Sequence, residues 1–166
     1  MKRPDFIGNY KDLINEKDPG SEMKHDRASV GRKLGLTKIG VHVEILGPGE
    51  RTSWPHAKSS EEEFAYVLEG CPDAWINGFL HPLVPGDFVA FPSGTGIAHT
   101  FLNNTDKNVL LLVGGEATKK ENQYSYALHP EENEKRKALG EYWEDCPKQE
   151  VGPHDGLARK NTKVIK

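Results

Sequence analysis

The 166-residue sequence predicts an all-β domain, an antiparallel sandwich or barrel, held between two polar arms. Three observations carry that prediction. From Leu36 to about Gly115, short apolar runs alternate with Gly and Pro signals: KIGVHVEIL, EEFAYVLEG, DAWINGFLHPLVPGD, FVAFPSGTG, AHTFLNN and NVLLLVGG. Within AWINGFL, Asn77-Gly78 supplies the two positive-φ residues of a tight type I′ hairpin turn. Outside this span the composition turns polar at both ends, with no repeat and no low-complexity segment.

In chain order, residues 1–32 read as an N-terminal arm lying over the domain surface, with KDPGSE as a turn. Residues 33–117 form the barrel. Residues 118–166 form an extension that packs on it. In that extension HPEENEKRKALGEYW places Pro130 at a first helical position with acids behind it, which predicts a short helix near 130–142. GPHDGLARKNTKVIK has no period and reads as an extended, partly frayed tail. Trp54, Trp75, Phe88, Phe91 and Phe101 are expected in the core, with Tyr66 or Phe101 as alternative pocket-lining residues.

Composition narrows the function classes. A chain of this length suits one domain and buries about two-thirds of its unfolded surface. A net charge of -3 gives no electrostatic case for nucleic acid or for an anionic membrane, which leaves a small-molecule ligand or substrate as the expected partner. No segment has the length and apolarity of a membrane span, and MKRPDFIGNY has no apolar run behind its basic residues, so a cytoplasmic protein is expected. Cys71 and Cys146 are too few for a disulfide scaffold and read as ordinary buried or half-buried thiols.

The chemistry concentrates in two stretches. In an extended segment His56 and Lys58 project to one side, and further on Glu63, Ala65 and Val67 share a face opposite Phe64, Tyr66 and Leu68. His99 follows a Gly-rich turn at the start of another apolar run. Two imidazoles and one carboxylate with open positions suit a divalent transition metal. His42 and Glu44 share a face of VHVEIL and His81 follows the hairpin turn; all three are expected at a rim or on the outer face. Glu61 and Glu62, in a turn, are expected to be solvent-exposed.

GERTSWPHAKSSEEEFAYVLEG and GDFVAFPSGTGIAHTFLNN resemble, in order, the two motifs of the cupins. The first motif runs Gly, five residues, His-x-His, three or four residues, Glu, six residues, Gly. Gly49, His56, Lys58, Glu63 and Gly70 follow it, with one extra residue before His56 and with Lys58 in place of the second histidine. The second runs Gly, five residues, Pro-x-Gly, two residues, His, three residues, Asn. Gly86, Pro92, Gly94, His99 and Asn103 follow it, with four residues rather than two before His99.

The resemblance implies a double-stranded β-helix, a jelly-roll-like antiparallel barrel that pairs as a homodimer. It also implies a divalent metal, Fe, Mn, Ni or Zn, at His56, Glu63 and His99. Cupins include dioxygenases, isomerases, lyases and ligand-sensing modules, so the fold alone does not choose a function. Lys58 leaves three readings open. It turns away or is neutral and the other three residues bind metal; or its ammonium pairs with Glu63 in place of a metal, leaving a pocket for an anionic or polyol ligand; or the site is purely structural. As a catalytic residue Lys58 would hold a carboxylate or phosphate, or act as an acid or base if burial lowered its pKa.

Overall fold

The structure, a computed structural model, describes residues 3–15 and 25–160; the KDPGSE turn and residues 161–166 lie outside the described residues. Strands dominate. They run β1 (Ile14–Asn15), β2 (Asp26–Ala28), β3 (Ile39–Leu46), β4 (Ala57–Lys58), β5 (Glu63–Glu69), β6 (Asp73–Ile76), β7 (Phe79–Pro82), β8 (Phe88–Phe91), β9 (His99–Leu102), β10 (Val109–Glu116) and β11 (Tyr124–Ser125). Among the described residues, two α-helices, α1 (Val30–Lys33) and α2 (Pro130–Leu139), and a 3-10 turn at Tyr10–Leu13 accompany them. None of the described helices is long and apolar enough to cross a membrane.

Every strand pairing among the described residues is antiparallel. A six-stranded sheet, β1-β2-β3-β10-β5-β8, packs against a three-stranded sheet, β7-β6-β9, while β11 and β4 pair at one end. The core lies between the two larger sheets, where Leu46, Ala65, Val67, Ala74, Phe91, Phe101, Val109 and Leu111 form one cluster. Alternation explains the selection: Ala65 and Val67 point inward from β5, while Leu68 is exposed on the other face.

Asn77 and Gly78 both have positive φ (46° and 86°), as the type I′ turn requires, and Ile76 pairs directly with Phe79 across it. Gly78 has a second reason to be glycine: a Cβ there would collide with the backbone of Gly152. Gly152 belongs to the tail, which is tied down over its described part rather than frayed. Gly152 donates to the Asn77 carbonyl (2.7 Å) and His154 N to the Gly78 carbonyl (3.1 Å), while Trp75 Nε1 donates to the His154 carbonyl (2.9 Å). Behind the three-stranded sheet, Trp75, Ala57, Ala98, Leu102 and Trp143 make a second apolar cluster, joined by Leu128 and Ala158.

Helix α2 starts at the expected Pro130 and ends at Leu139, where Gly140 adopts the left-handed cap conformation. Two sequence expectations need correction. Phe88 is 60% exposed, not in the core. It sits on β8 at an odd separation from the buried Phe91, so the strand's alternation turns it outward, where its ring stacks on Phe64 (5.2 Å between centroids). Cys71 is likewise exposed, and only Cys146 is half-buried.

Candidate functional site

A cavity of about 750 Å³ opens within the barrel, and His56, Lys58, Glu63 and His99 all line it. Strand pairing brings the two histidines together. His56 and His99 form an isolated antiparallel bridge, each backbone N–H donating to the other's carbonyl (3.3 and 3.0 Å). Residues paired directly across such a bridge present their side chains on one face, and the imidazole centroids lie 5.2 Å apart. Glu63, first residue of β5, enters beside them opposite Phe91 of β8. Phe91 in turn stacks on the His99 ring (3.5 Å between centroids) and fixes its plane.

Each imidazole turns Nδ1 toward a backbone carbonyl, closely in His56 and more loosely in His99. His56 Nδ1 donates to the Trp54 carbonyl (2.9 Å), and His99 Nδ1 points at the Ile97 carbonyl (3.5 Å). A carbonyl only accepts, so in a neutral ring the lone pair is left on Nε2. Both Nε2 atoms face the same oxygen, Glu63 Oε2, at 3.6 and 3.4 Å. Those separations are too long for good hydrogen bonds, and Glu63 Oε2 is buried with no hydrogen-bond partner. The ligand atoms of His56, Glu63 and His99 all lie within 4.8 Å of one another, so these three residues can hold one metal ion. Two lone pairs and a carboxylate oxygen converging without a hydrogen between them fit a cation's donor set.

Protonation follows from the surroundings. Burial pushes His99 below its usual value, against the pull of Glu63, and so keeps the ring neutral. Burial alone would raise the Glu63 carboxyl, but without a metal a proton on either facing imidazole, as hydrogen-bond donor and as charge, reverses the sign and holds it well below the usual carboxylate range.

Lys58 occupies the other side of the same carboxylate. Its Nζ lies 2.9 Å from Glu63 Oε1 and 2.9 Å from Glu61 Oε2. Burial works to lower the ammonium's pKa, but the two carboxylates outweigh it and the net shift is upward. A lowered pKa, the condition for Lys58 to act as a base, is not met.

Glu61 corrects another expectation: it is 3% exposed rather than solvated. Its Oε1 accepts from Lys119 N (2.7 Å), and the surrounding turn is clamped by the same segment, Ser59 N donating to the Gln123 carbonyl and Ser60 N to Asn122 Oδ1. Nothing in the EEE run announces a distant covering segment. Glu62 is exposed, as expected, and so is His81.

His42 and Glu44 also depart from the expected rim or outer face, since both line the cavity. They sit at the register of inward-facing Leu46, and Glu44 is 4% exposed, paired with His25 Nε2 (3.0 Å) and Arg27 Nε (3.6 Å). Burial, reinforced by Arg27, lowers His42 from 6.5 to about 4, so the ring is neutral near pH 7. Phe101 is a lining residue, whereas Tyr66 belongs to the opposite face of β5 from Ala65 and Val67. Among the lining residues unflagged in the sequence are Arg27 and Arg32, N-terminal to the cupin motifs, and Tyr124, C-terminal to them. No local pattern marks them.

Residues 42–115 match the family model described as a cupin domain. No protein of curated function matches the chain. Among solved structures, a sugar phosphate isomerase of the cupin superfamily from Silicibacter pomeroyi is 33% identical with a TM-score of 0.59; the match covers 62% of this chain and 65% of that one, just under two-thirds of its length. A protein from Acidithiobacillus ferrooxidans, provisionally assigned as a sugar phosphate isomerase, is 24% identical over 78% of this chain and 83% of its own, with a TM-score of 0.62. The polyketide cyclase RemF from Streptomyces resistomycificus shares the fold at 19% identity, covering 81% of this chain and 93% of its own, with a TM-score of 0.58. The two ordered motifs, the antiparallel barrel and these likenesses agree on a cupin domain over residues 42–115.

Proposed function

We propose that the protein is a metal-dependent cupin enzyme acting on a small polar molecule, with His56, Glu63 and His99 as ligands to a divalent Fe, Mn, Ni or Zn ion. The observation that carries this reading is Glu63 Oε2, buried without a hydrogen-bond partner and faced by the lone-pair nitrogens of two imidazoles. A bound divalent ion there supplies Lewis acidity to a ligand oxygen. The chain's own residues do the rest: the Trp54 and Ile97 carbonyls orient the imidazoles, Phe91 shields His99, and Lys58 holds Glu63 by its second oxygen. Charged and anchored, Lys58 serves as a fixed cation in the pocket wall, for Glu63 and for a ligand anion alike.

Of the dioxygenase, isomerase and lyase chemistries open to the superfamily, isomerisation is the one supported by a relative at 33% identity. A homodimer is part of the proposal, supported by the exposed Phe88 on the larger sheet, with the half-buried Phe64 stacked against it. A cytoplasmic location is supported by two cysteines that are both free thiols.

The second reading is a metal-free binding module in which Lys58 replaces the cation, and the 2.9 Å contact to Glu63 favours it. Elemental mass spectrometry of the full chain separates the two. The proposal expects close to one metal per chain in wild type and its loss in His99→Ala. Metal-free wild type that still binds a small ligand saturably would establish the second reading instead.

A further inference from the structure

The cavity's charges close on themselves. Its lining carries four acids, Glu44, Glu61, Glu63 and Glu116, and each has a cationic partner. Glu44 pairs with Arg27, Glu61 and Glu63 share Lys58, and Glu116 pairs with Lys119 at 2.7 Å. Among the described residues lining the cavity, Arg32 is the cation that makes no ion pair. It belongs to α1 at an exposed position, and Leu36, Thr37 and Ile39, close to it in the chain, share the lining with it. With the histidines neutral, the lining and Lys119 sum to no net charge. A divalent ion on Glu63 then leaves the cavity with two surplus positive charges, and a low-dielectric enclosure magnifies that surplus.

Between the two poles stands His42. It lies within electrostatic reach of both the Arg27–Glu44 pair and the Lys58–Glu63 pair, and its Nδ1 is buried without a hydrogen-bond partner. A neutral ring with an unspent nitrogen is suited to a hydroxyl or carbonyl oxygen, not to a charge.

The geometry points to a small anionic ligand that spans the cavity. Its phosphate or carboxylate sits at the arginine end, on Arg32 with Arg27 behind it, and its hydroxyl or carbonyl oxygens run past His42 to His56, Glu63 and His99. This assignment rests on the metal reading above, because the divalent ion creates the surplus charge that the anion cancels. It gives the N-terminal arm a role in ligand selection, since both arginines come from outside the cupin-matched residues 42–115.

The test is calorimetric binding of ribose, ribose 5-phosphate and ribonate to the full chain as purified, with metal content measured on the same samples. At least one of the two anions should bind about tenfold or more tightly than ribose. Which one does so separates a phosphate from a carboxylate ligand. Arg32→Gln, at an exposed site, should remove about tenfold of the anion's affinity while leaving metal content unchanged. Arg27→Gln should act in the same direction. The assignment is overturned if ribose binds as well as its anions, if neither arginine variant weakens the anion, or if no anion binds protein that carries its metal. Arginine-dependent anion binding by metal-free protein overturns the metal reading alone and leaves the arginine subsite standing. Metal-free protein that binds no anion overturns both.

Discussion

Lys58 and Glu63 meet through one carboxylate oxygen only: Nζ lies 2.9 Å from Oε1, while Oε2 faces His56 and His99. The lysine that stands at the position of a motif histidine therefore does not fill the place between the imidazoles. It satisfies the far side of the same carboxylate, which combines the pairing of one reading of Lys58 with the three-residue ligand set of another.

Removing the ammonium strands the buried Glu61 and the half-buried Glu63. Lys58→Met should cost the metal-free protein about 2 to 4 kcal/mol, since breaking one side of a buried ion pair is expensive. A divalent ion should restore more stability to this variant than to wild type, because the competing positive charge is gone. Thermal melts with and without added Mn or Zn check this; equal metal-induced shifts in both proteins would refute it.

Glu61 acts through Lys58. It takes the ammonium on one oxygen and the Lys119 backbone N–H on the other, joining the C-terminal extension to the pocket wall. Glu61→Gln should destabilise wild type clearly and Lys58→Met much less, with a coupling of about 1 to 3 kcal/mol in the double-mutant cycle. Urea unfolding of the four proteins measures it. Simple additivity would mean that Glu61 is held by the Lys119 contact alone.

The buried, neutral His42 predicts an acid-side loss of stability. Its folded pKa of about 4 lies below the ordinary 6.5, so between those values the unfolded chain binds more protons. Stability should fall as pH drops from 6.5 toward 4, and His42→Gln should flatten that part of the curve. The depressed carboxyl of Glu63 acts in the same direction at lower pH: its contribution is present above the usual carboxylate range and is lost as pH falls through its folded value. Urea midpoints at pH 7 and pH 5 for wild type and His42→Gln decide the first point; parallel slopes would exclude His42 as the source.

Asn103, the last residue of the second motif, is structural. It is fully buried, donates to the Leu46 and Lys107 carbonyls (2.9 and 2.7 Å), and accepts from the Thr105 backbone N–H and hydroxyl (3.0 and 2.7 Å). Asn103→Ala should cost about 2 to 4 kcal/mol by stranding these groups. Metal content of the folded fraction should stay at the wild-type level, and a selective loss of metal in a fully stable variant would contradict this assignment.

By itself the sequence determined what depends on short range. Period-two alternation turned Ala65 and Val67 inward, Asn77-Gly78 closed a hairpin, Pro130 opened a helix, and the motif spacing put His56, Glu63 and His99 on one cavity. The same rule, applied strictly, separates Phe88 from Phe91. Tertiary structure alone decided what covers what. Glu61 is buried because residues 119–123 fold over its turn, Glu44 because His25 and Arg27 meet it, and Arg32 reaches the cavity lining because α1 packs against β3. Local patterning sets the face on which a side chain leaves its strand; which distant segment meets that face depends on the packing of the whole chain, and no local period encodes it.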